Sequence, residues 1–376
     1  MKKIHSIPFN FNIIGSVTGE HNDRHVEISA LGKGLINDTY LISVELSQEE
    51  IKNVKNTEVH EMRYILQRIN TDIFKDVNKL MSNISKVSKH LQSKSDSCCL
   101  VVVPTTQNKS FWRSASGECW RMYKEIPNSI SFQTSFGNNC LYEAGRAYGE
   151  FQRNLSDMNV EGLYEILKDF HNTPMRMKAF RIAVQNDVSK RVCDVHADIA
   201  YIESKASLAN VIFEMIADGR LPKRVSHNDT KLDNILFDKT KKCAICAVDY
   251  DTVMPNGSIL YDYGDAIRSM SNTSVEDERD LEKVDFDLTS FEQFTEGYLN
   301  ELNGIITEQE KEMLPKGALV ITLEQAIRFL TDYLMGDIYF KIEYPGHNLV
   351  RSRNQLKLFE SMLSKEEEMR AKISSM

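Results

Sequence analysis

Short alternating runs fill the first third of the chain, and longer helical periods fill most of the rest. Val26 to Leu31 and Thr39 to Leu46 are apolar, β-branched runs on either side of Gly32-Lys33-Gly34, and Met62 to Ile69 repeats the strand pattern. The strongly charged stretch Gln48 to Glu61 between them reads as a surface excursion. From Phe74 onward, Val77, Leu80, Met81, Ile84, Val87 and Leu91 recur at spacings of three and four, which predicts a helix with one apolar stripe. Cys98 to Val103 and Cys119 to Ile126 return to strand character. After Pro127 the texture becomes helical, with Leu141, Ala144, Tyr148, Phe151 and Leu155 on one face and amphipathic stretches to about residue 215. A strand-rich island, Ile235 to Val253, interrupts the helices, which resume around Phe286 and from Thr322 through Phe340. The pattern predicts an α+β fold in two domains, 1–126 and 127–376, with no repeat or low-complexity linker.

Composition narrows the function. The 376 residues are 41% hydrophobic and 27% charged with a net charge of −8, ordinary for a globular chain and without the basic footprint of a protein that holds nucleic acid or an anionic membrane. A small neutral substrate suits that balance. MKKIHSIPFNFNIIG lacks the continuous apolar segment of a secretory signal, and no run approaches the length of a membrane span, so a soluble protein is expected. Seven irregularly spaced cysteines suggest no disulfide framework and point to a reducing compartment, the cytoplasm. Cys243 and Cys246 form a CxxC without a second ligand pair, so they read as strand cysteines rather than a zinc site.

The chemistry concentrates in His227-Asn228-Asp229-Thr230-Lys231-Leu232-Asp233-Asn234 and, after a hydrophobic strand, Val248-Asp249-Tyr250-Asp251. An Asp with Lys two positions on, Asn five positions on and a later Asp matches the kinase catalytic pattern H-R-D-x-K-x-x-N with its downstream metal-binding Asp. Phosphoryl transfer asks a protein mainly to position the attacking oxygen and neutralise charge on the phosphoryl oxygens. Asp229 is the candidate base and Lys231 the candidate γ-phosphate partner, with His227 in the catalytic set as an orienting residue. Asn234 and Asp249 offer the hard oxygens that Mg²⁺ prefers beside ATP phosphates. Read singly, each segment is also a plausible helix cap or turn. Their order and spacing, joined by a strand hairpin, favour the kinase reading.

Gly32 and Gly34 lie where a phosphate-covering loop belongs, although the same residues suit an ordinary hairpin turn. Arg68 takes the place of the lysine that kinases direct at the α- and β-phosphates. The helix expected after it contains Asp76 but no glutamate, so the usual ion pair is absent or replaced. Tyr123, with Trp120, lies on the strand leading toward an adenine-reading hinge, and both aromatics equally suit a core.

These residues carry a resemblance. The chain resembles the aminoglycoside phosphotransferase superfamily, and within it the N-acetylhexosamine 1-kinases. The match rests on GLINDTY at 34–40, YILQRINTDIF at 64–74, CWRMYKEI at 119–126, DFHNTPMR at 169–176, HNDTKLDNILFD at 227–238, VDYDTVMPNG at 248–257 and YDYGDAIR at 261–268, with RFLTDYLMGDIYF and PGHNLVRSR near the C-terminus. The resemblance implies a protein-kinase-like two-lobed fold with a nucleotide-binding lobe and a helical catalytic and substrate lobe. It also implies ATP- and Mg²⁺-dependent phosphorylation at C1 of an N-acetylhexosamine. Asp229 would be the base, Asn234 and Asp249 the magnesium ligands. Arg328 and Tyr339, eleven residues apart on a C-terminal helical segment, would reach the sugar. Leu35 stands where those relatives carry histidine, so sugar preference is expected to differ there. Kinases of other small alcohols, such as homoserine, choline or methylthioribose, share the core motif. A catalytically dead nucleotide-binding module is disfavoured because Asp229, Lys231, Asn234 and Asp249 are all present.

Overall fold

A computed structural model describes residues 9, 26–31, 37–46, 61–94, 98–135, 137 and 139–376. By internal contacts the chain divides into two compact units, Met1–Asn128 and Ser129–Met376. In the first, period-two alternation produces β1 (Val26–Ala30), β2 (Asp38–Glu45) and β3 (Glu61–Ile69), followed by β4 (Trp112–Arg113) and β5 (Cys119–Lys124). They form one antiparallel sheet in the order β1-β2-β3-β5-β4. Ile42, Val44, Tyr64, Leu66 and Met122 share its apolar face with Phe9 and Val103, and the strict alternation fixes this register because a one-residue slip would turn them outward. The run Cys98 to Val103 is not a strand. It narrows to one bridge, Val102 to Tyr123, flanked by Val103 N to Met122 O and Lys124 N to Val101 O.

The helix expected from Phe74 is α1 (Val77–Gln92), buried on the stripe Val77, Leu80, Met81, Ile84, Val87 and Leu91. It starts three residues late because Asp76 is its N-cap, accepting from Lys79 N at 3.1 Å.

The second unit is mainly helical: α2 (Cys140–Leu155), α3 (Thr173–Asn186), α4 (His196–Ser204), α5 (Leu208–Ala217), α6 (Ile259–Met270), α7 (Leu288–Leu302), α8 (Glu308–Met335), α9 (His347–Ser364) and α10 (Glu366–Ser375). Two small sheets accompany them. β6 (Ser129–Ile130), β8 (Ile235–Asp238) and β9 (Ala244–Ala247) form one, and β7 (Arg224–Ser226) with β10 (Met254–Gly257) the other. Backbone approach fixes two helix pairs. A Cβ on Gly145 of α2 would stand 2.0 Å from the Phe294 carbonyl of α7, and one on Gly264 of α6 would stand 2.4 Å from the Gly317 carbonyl of α8. Thus α2 and α6, which hold the residues described next, are set by contacts that only glycine permits. Among the described residues no helix is long and apolar enough to cross a membrane.

Candidate active site

Strand β7 delivers the chain into His227–Asn234, a loop with little regular structure of its own, so side chains supply its restraints. Asn228 adopts a left-handed φ of 63°, which Asn tolerates better than most residues. Its amide holds the turn by donating to Ser226 O at 3.1 Å and Thr252 O at 2.8 Å. The carboxylate of Asp262 on α6 accepts from His227 N at 2.8 Å, Asn228 N at 2.7 Å and Gln152 Nε2 at 2.6 Å. Burial pushes the Asp262 carboxyl above the usual aspartate range, and the N–H donors offset only part of that cost. One helical turn on, Asp265 accepts from Thr230 N at 3.0 Å and from Arg268 at 2.9 Å. Buried as it is, Asp265 is still held below its ordinary pKa by the Arg268 guanidinium. Two carboxylates on one helix face therefore clamp the loop's backbone.

His227 is fully buried. Its ring meets Tyr148, Phe151 and Tyr250 edge-on at 5.7, 5.3 and 6.1 Å, and Nε2 lies 2.9 Å from Val248 O. The side chain thus lies on the inner side of the loop and ties it to the strand leading to Asp249.

The clamped loop presents Asp229. Its Oδ2 accepts from Asn234 Nδ2 at 2.9 Å and lies 3.1 Å from Lys231 Nζ, whereas among the described residues no donor bonds Oδ1. Burial disfavours the Lys231 ammonium, yet Asp229, Asp233 and Asp249 together hold its pKa above the usual lysine value. It therefore stays cationic at any physiological pH. Tyr148 OH fixes the Lys231 carbonyl at 2.7 Å. Asn234 also donates to Asp229 O at 2.8 Å, so its amide nitrogen is spent within the loop and its oxygen is the end available to a cation. Val248 N bonds Asn234 O at 2.8 Å, which places Asp249, at a left-handed φ of 64°, in the next position along the backbone. An amide oxygen and a carboxylate are hard donors of the kind Mg²⁺ takes, sharing its remaining positions with phosphates and water; among the described residues no cluster of three His, Cys, Asp or Glu is arranged to hold a metal by itself.

A second cluster lies beside the same helix. Arg328 on α8 sits over Phe170 at 5.5 Å and Phe340 at 5.4 Å and bonds Gln325 Oε1 at 2.9 Å. Tyr339 is not helical, contrary to the expectation that it shares a helix with Arg328. Helix α8 ends at Gly336, whose φ of 92° reverses the chain, and Asp332 then accepts from Ile338 N, Tyr339 N and Phe340 N at 2.8–3.0 Å. Tyr339 is 69% exposed and contacts Phe340 at 4.8 Å, so the structure joins it to Arg328 through that ring. His171 Nδ1 lies 2.9 Å from Glu324 Oε1, and the His171 ring stacks on Tyr261, the neighbour of Asp262, at 5.2 Å.

The nucleotide-side expectations fall in the first unit. Gly32, Gly34 and Leu35 lie outside the described residues. Arg68 meets Asp38 on the adjacent strand, with Nε at 2.8 Å, and Glu118 in the turn before β5 at 3.4 Å, so its partners are these two carboxylates rather than a helix glutamate. Tyr123 is 3% exposed with the Arg121 guanidinium 5.3 Å from its ring centroid.

Sequence reasoning assigned no role to Gln152, Asp262, Asp265, His171, Arg176 or Glu324. A signal existed for two of them: acids three apart within the apolar helical run Ile259 to Met270 face one side and require partners once buried.

A family model described as the phosphotransferase enzyme family matches residues 27–294. An aminoglycoside phosphotransferase from Alicyclobacillus acidocaldarius is similar in structure at 12% identity and a TM-score of 0.55, covering 94% of this chain and 93% of that one. The GDP complex of aminoglycoside 2'-phosphotransferase-IIIa matches at 11% identity and a TM-score of 0.57, over 89% of this chain and 94% of that one. A choline/ethanolamine kinase family protein from Mesorhizobium loti matches at 13% and 0.53, over 93% of each chain. At such identities the likeness establishes the fold, which is α+β and kinase-like.

Proposed function

The chain belongs to the phosphotransferase enzyme family, and we propose that within it the protein moves the γ-phosphoryl group of ATP to the anomeric hydroxyl of an N-acetylhexosamine. The observation that carries the transfer reading is the Asp229 carboxylate, with Lys231 and Asn234 converging on Oδ2 and Oδ1 left to an acceptor hydroxyl. Asp229 takes the hydroxyl proton as the acceptor oxygen bonds the γ-phosphorus and the bond from that phosphorus to the β-phosphate oxygen breaks, releasing ADP, and Lys231 neutralises charge on the transferring group. Asn234 and Asp249 are assigned to Mg²⁺, which when bound supplies charge neutralisation at the nucleotide phosphates. No cysteine or histidine nucleophile faces this cluster among the described residues, in keeping with direct in-line transfer. Gly32, Gly34, Arg68 and Tyr123 are assigned to the nucleotide. Arg328 and Tyr339 are assigned to the sugar, and the stacking of Arg328 with Phe170 and Phe340 supports a ring-binding surface around them; the assignment of Leu35 to the sugar rests on the resemblance alone.

Purified protein, Mg-ATP and a panel of hexoses, N-acetylhexosamines and amino alcohols will test this by acceptor-dependent ADP formation. Phosphorus NMR of the product should show coupling to the anomeric proton. A 6-phosphate or a phosphoamino alcohol would remove the sugar assignment. The rival acceptors are choline and ethanolamine, because kinases of both are among the structural neighbours.

A further inference from the structure

The cluster around Arg328 has an unusual charge balance. Arg176, in the first turns of α3, donates Nη2 to Phe170 O at 3.1 Å, and its Nε is buried without a hydrogen-bond partner. Burial and then the Arg328 guanidinium depress the Arg176 pKa, with Glu324, Tyr339 and Asp169 opposing them. Arg328 lies over the ring of the same Phe170, 5.5 Å from its centroid, so one residue carries both guanidinium groups. Among the described residues neither has a carboxylate within ion-pairing distance. Glu324 is hydrogen-bonded to His171 and to Thr173 Oγ1 instead. Asp169 accepts from Asn172 at 2.8 Å, and Asp332 is spent on the backbone after α8.

The cluster also lies beside the transfer site. His171 stacks on Tyr261, the residue before Asp262, and the Asp262 carboxylate holds the His227 and Asn228 N–H groups of the loop that presents Asp229. We propose that Arg176 and Arg328 form a paired-guanidinium acceptor subsite that takes an oxygen-rich acceptor of zero or negative charge and turns away cationic amines, with Arg176 a specificity-determining residue. Carbonyl, hydroxyl or carboxylate oxygens satisfy guanidinium donors, whereas an ammonium offers them no acceptor and is repelled by both. This rests on the phosphotransfer reading but not on the acceptor being an N-acetylhexosamine.

The test compares kcat/KM within two pairs that differ by an amine: glucose against glucosamine, and ethylene glycol against ethanolamine, below the amine pKa. N-acetylglucosamine is measured alongside. The neutral member should be preferred on the order of tenfold, the scale of a like-charge contact in protein surroundings. R176Q should narrow that ratio severalfold through acceptor KM while leaving ATP KM unchanged, and R176K should keep the ratio of the wild type. An equal or reversed preference in the wild type, a ratio untouched by R176Q, a parallel rise in ATP KM, or turnover of no neutral or anionic acceptor would each overturn the proposal. Glucose turnover without N-acetylglucosamine turnover would remove the N-acetylhexosamine reading and leave this one standing. N-acetylglucosamine turnover with an R176Q-insensitive ratio would do the reverse.

Discussion

Replacing Asp262 by Asn tests whether a buried carboxylate, rather than the loop sequence, holds the catalytic segment. The wild-type side chain takes three N–H donors, Asn228 N on Oδ1 and His227 N with Gln152 Nε2 on Oδ2. An asparagine has one acceptor oxygen. Placed at Oδ2 it keeps two bonds, but its NH₂ then faces the Asn228 N–H across a 2.7 Å contact. The flipped amide loses two bonds, so the first arrangement is preferred. The loss is one charge-assisted bond, about 1.5–3 kcal/mol, with a buried N–H left unpaired. Removing a charge whose burial is costly returns part of this, since Asp262 is already pushed up in pKa. A net destabilisation of about 2–3 kcal/mol follows, within the stability of an ordinary domain. The Asn228 turn should shift and carry Asp229 with it, and displacement on the order of 1 Å at a reacting group costs about a hundredfold in rate. Urea unfolding of both proteins gives the first number and saturating kcat the second. A variant within about 0.5 kcal/mol of wild type and with unchanged kcat would show that the loop holds itself.

Asp229→Asn should retain ATP binding by isothermal titration while kcat falls at least about a hundredfold, the usual scale for a positioned base; near-normal turnover would take Asp229 out of the mechanism. Arg328→Ala should raise acceptor KM by the equivalent of about 1–3 kcal/mol and spare ATP KM, and equal effects on both would indicate folding damage. Burial opposes ionisation of Asp265, yet Arg268 holds its folded pKa below the unfolded value. The stability it contributes is therefore full above the ordinary aspartate pKa and lost as pH falls toward the depressed one. Asp265→Asn should flatten the acid limb of stability against pH, and an unaltered limb would contradict the assignment. Gly145→Ala places a methyl 2.0 Å from the Phe294 carbonyl and should cost about 1–3 kcal/mol; because α2 also carries Tyr148 and Gln152, kcat should drop with it, and normal kcat at lowered stability would separate the helix contact from the site.

The sequence alone determined what is local. Asp229, Lys231 and Asn234 fall within six residues, so one loop brings them together, and the short β8–β9 hairpin returns Asp249 beside Asn234. Short apolar runs likewise marked β1, β2, β3 and β5, and in β2 and β3 the buried face is written in every second residue, Ile42 and Val44, Tyr64 and Leu66. Tertiary structure decided the restraints that make the loop usable. His227 and Asp262 are 35 residues apart, Gln152 and Asp262 are 110 apart, and His171 and Glu324 are 153 apart. No window of local sequence encodes such pairings, since they exist only once the helices have packed. The end of α8 shows the same division. Apolar Ile338 and Phe340 prolong the helical pattern, and Gly336 alone is compatible with continuing it at a modest cost. Capture of three successive N–H groups by Asp332 ends the helix and turns Tyr339 toward solvent. A carboxylate that satisfies backbone donors off the helix outweighs the periodicity that would keep them on it.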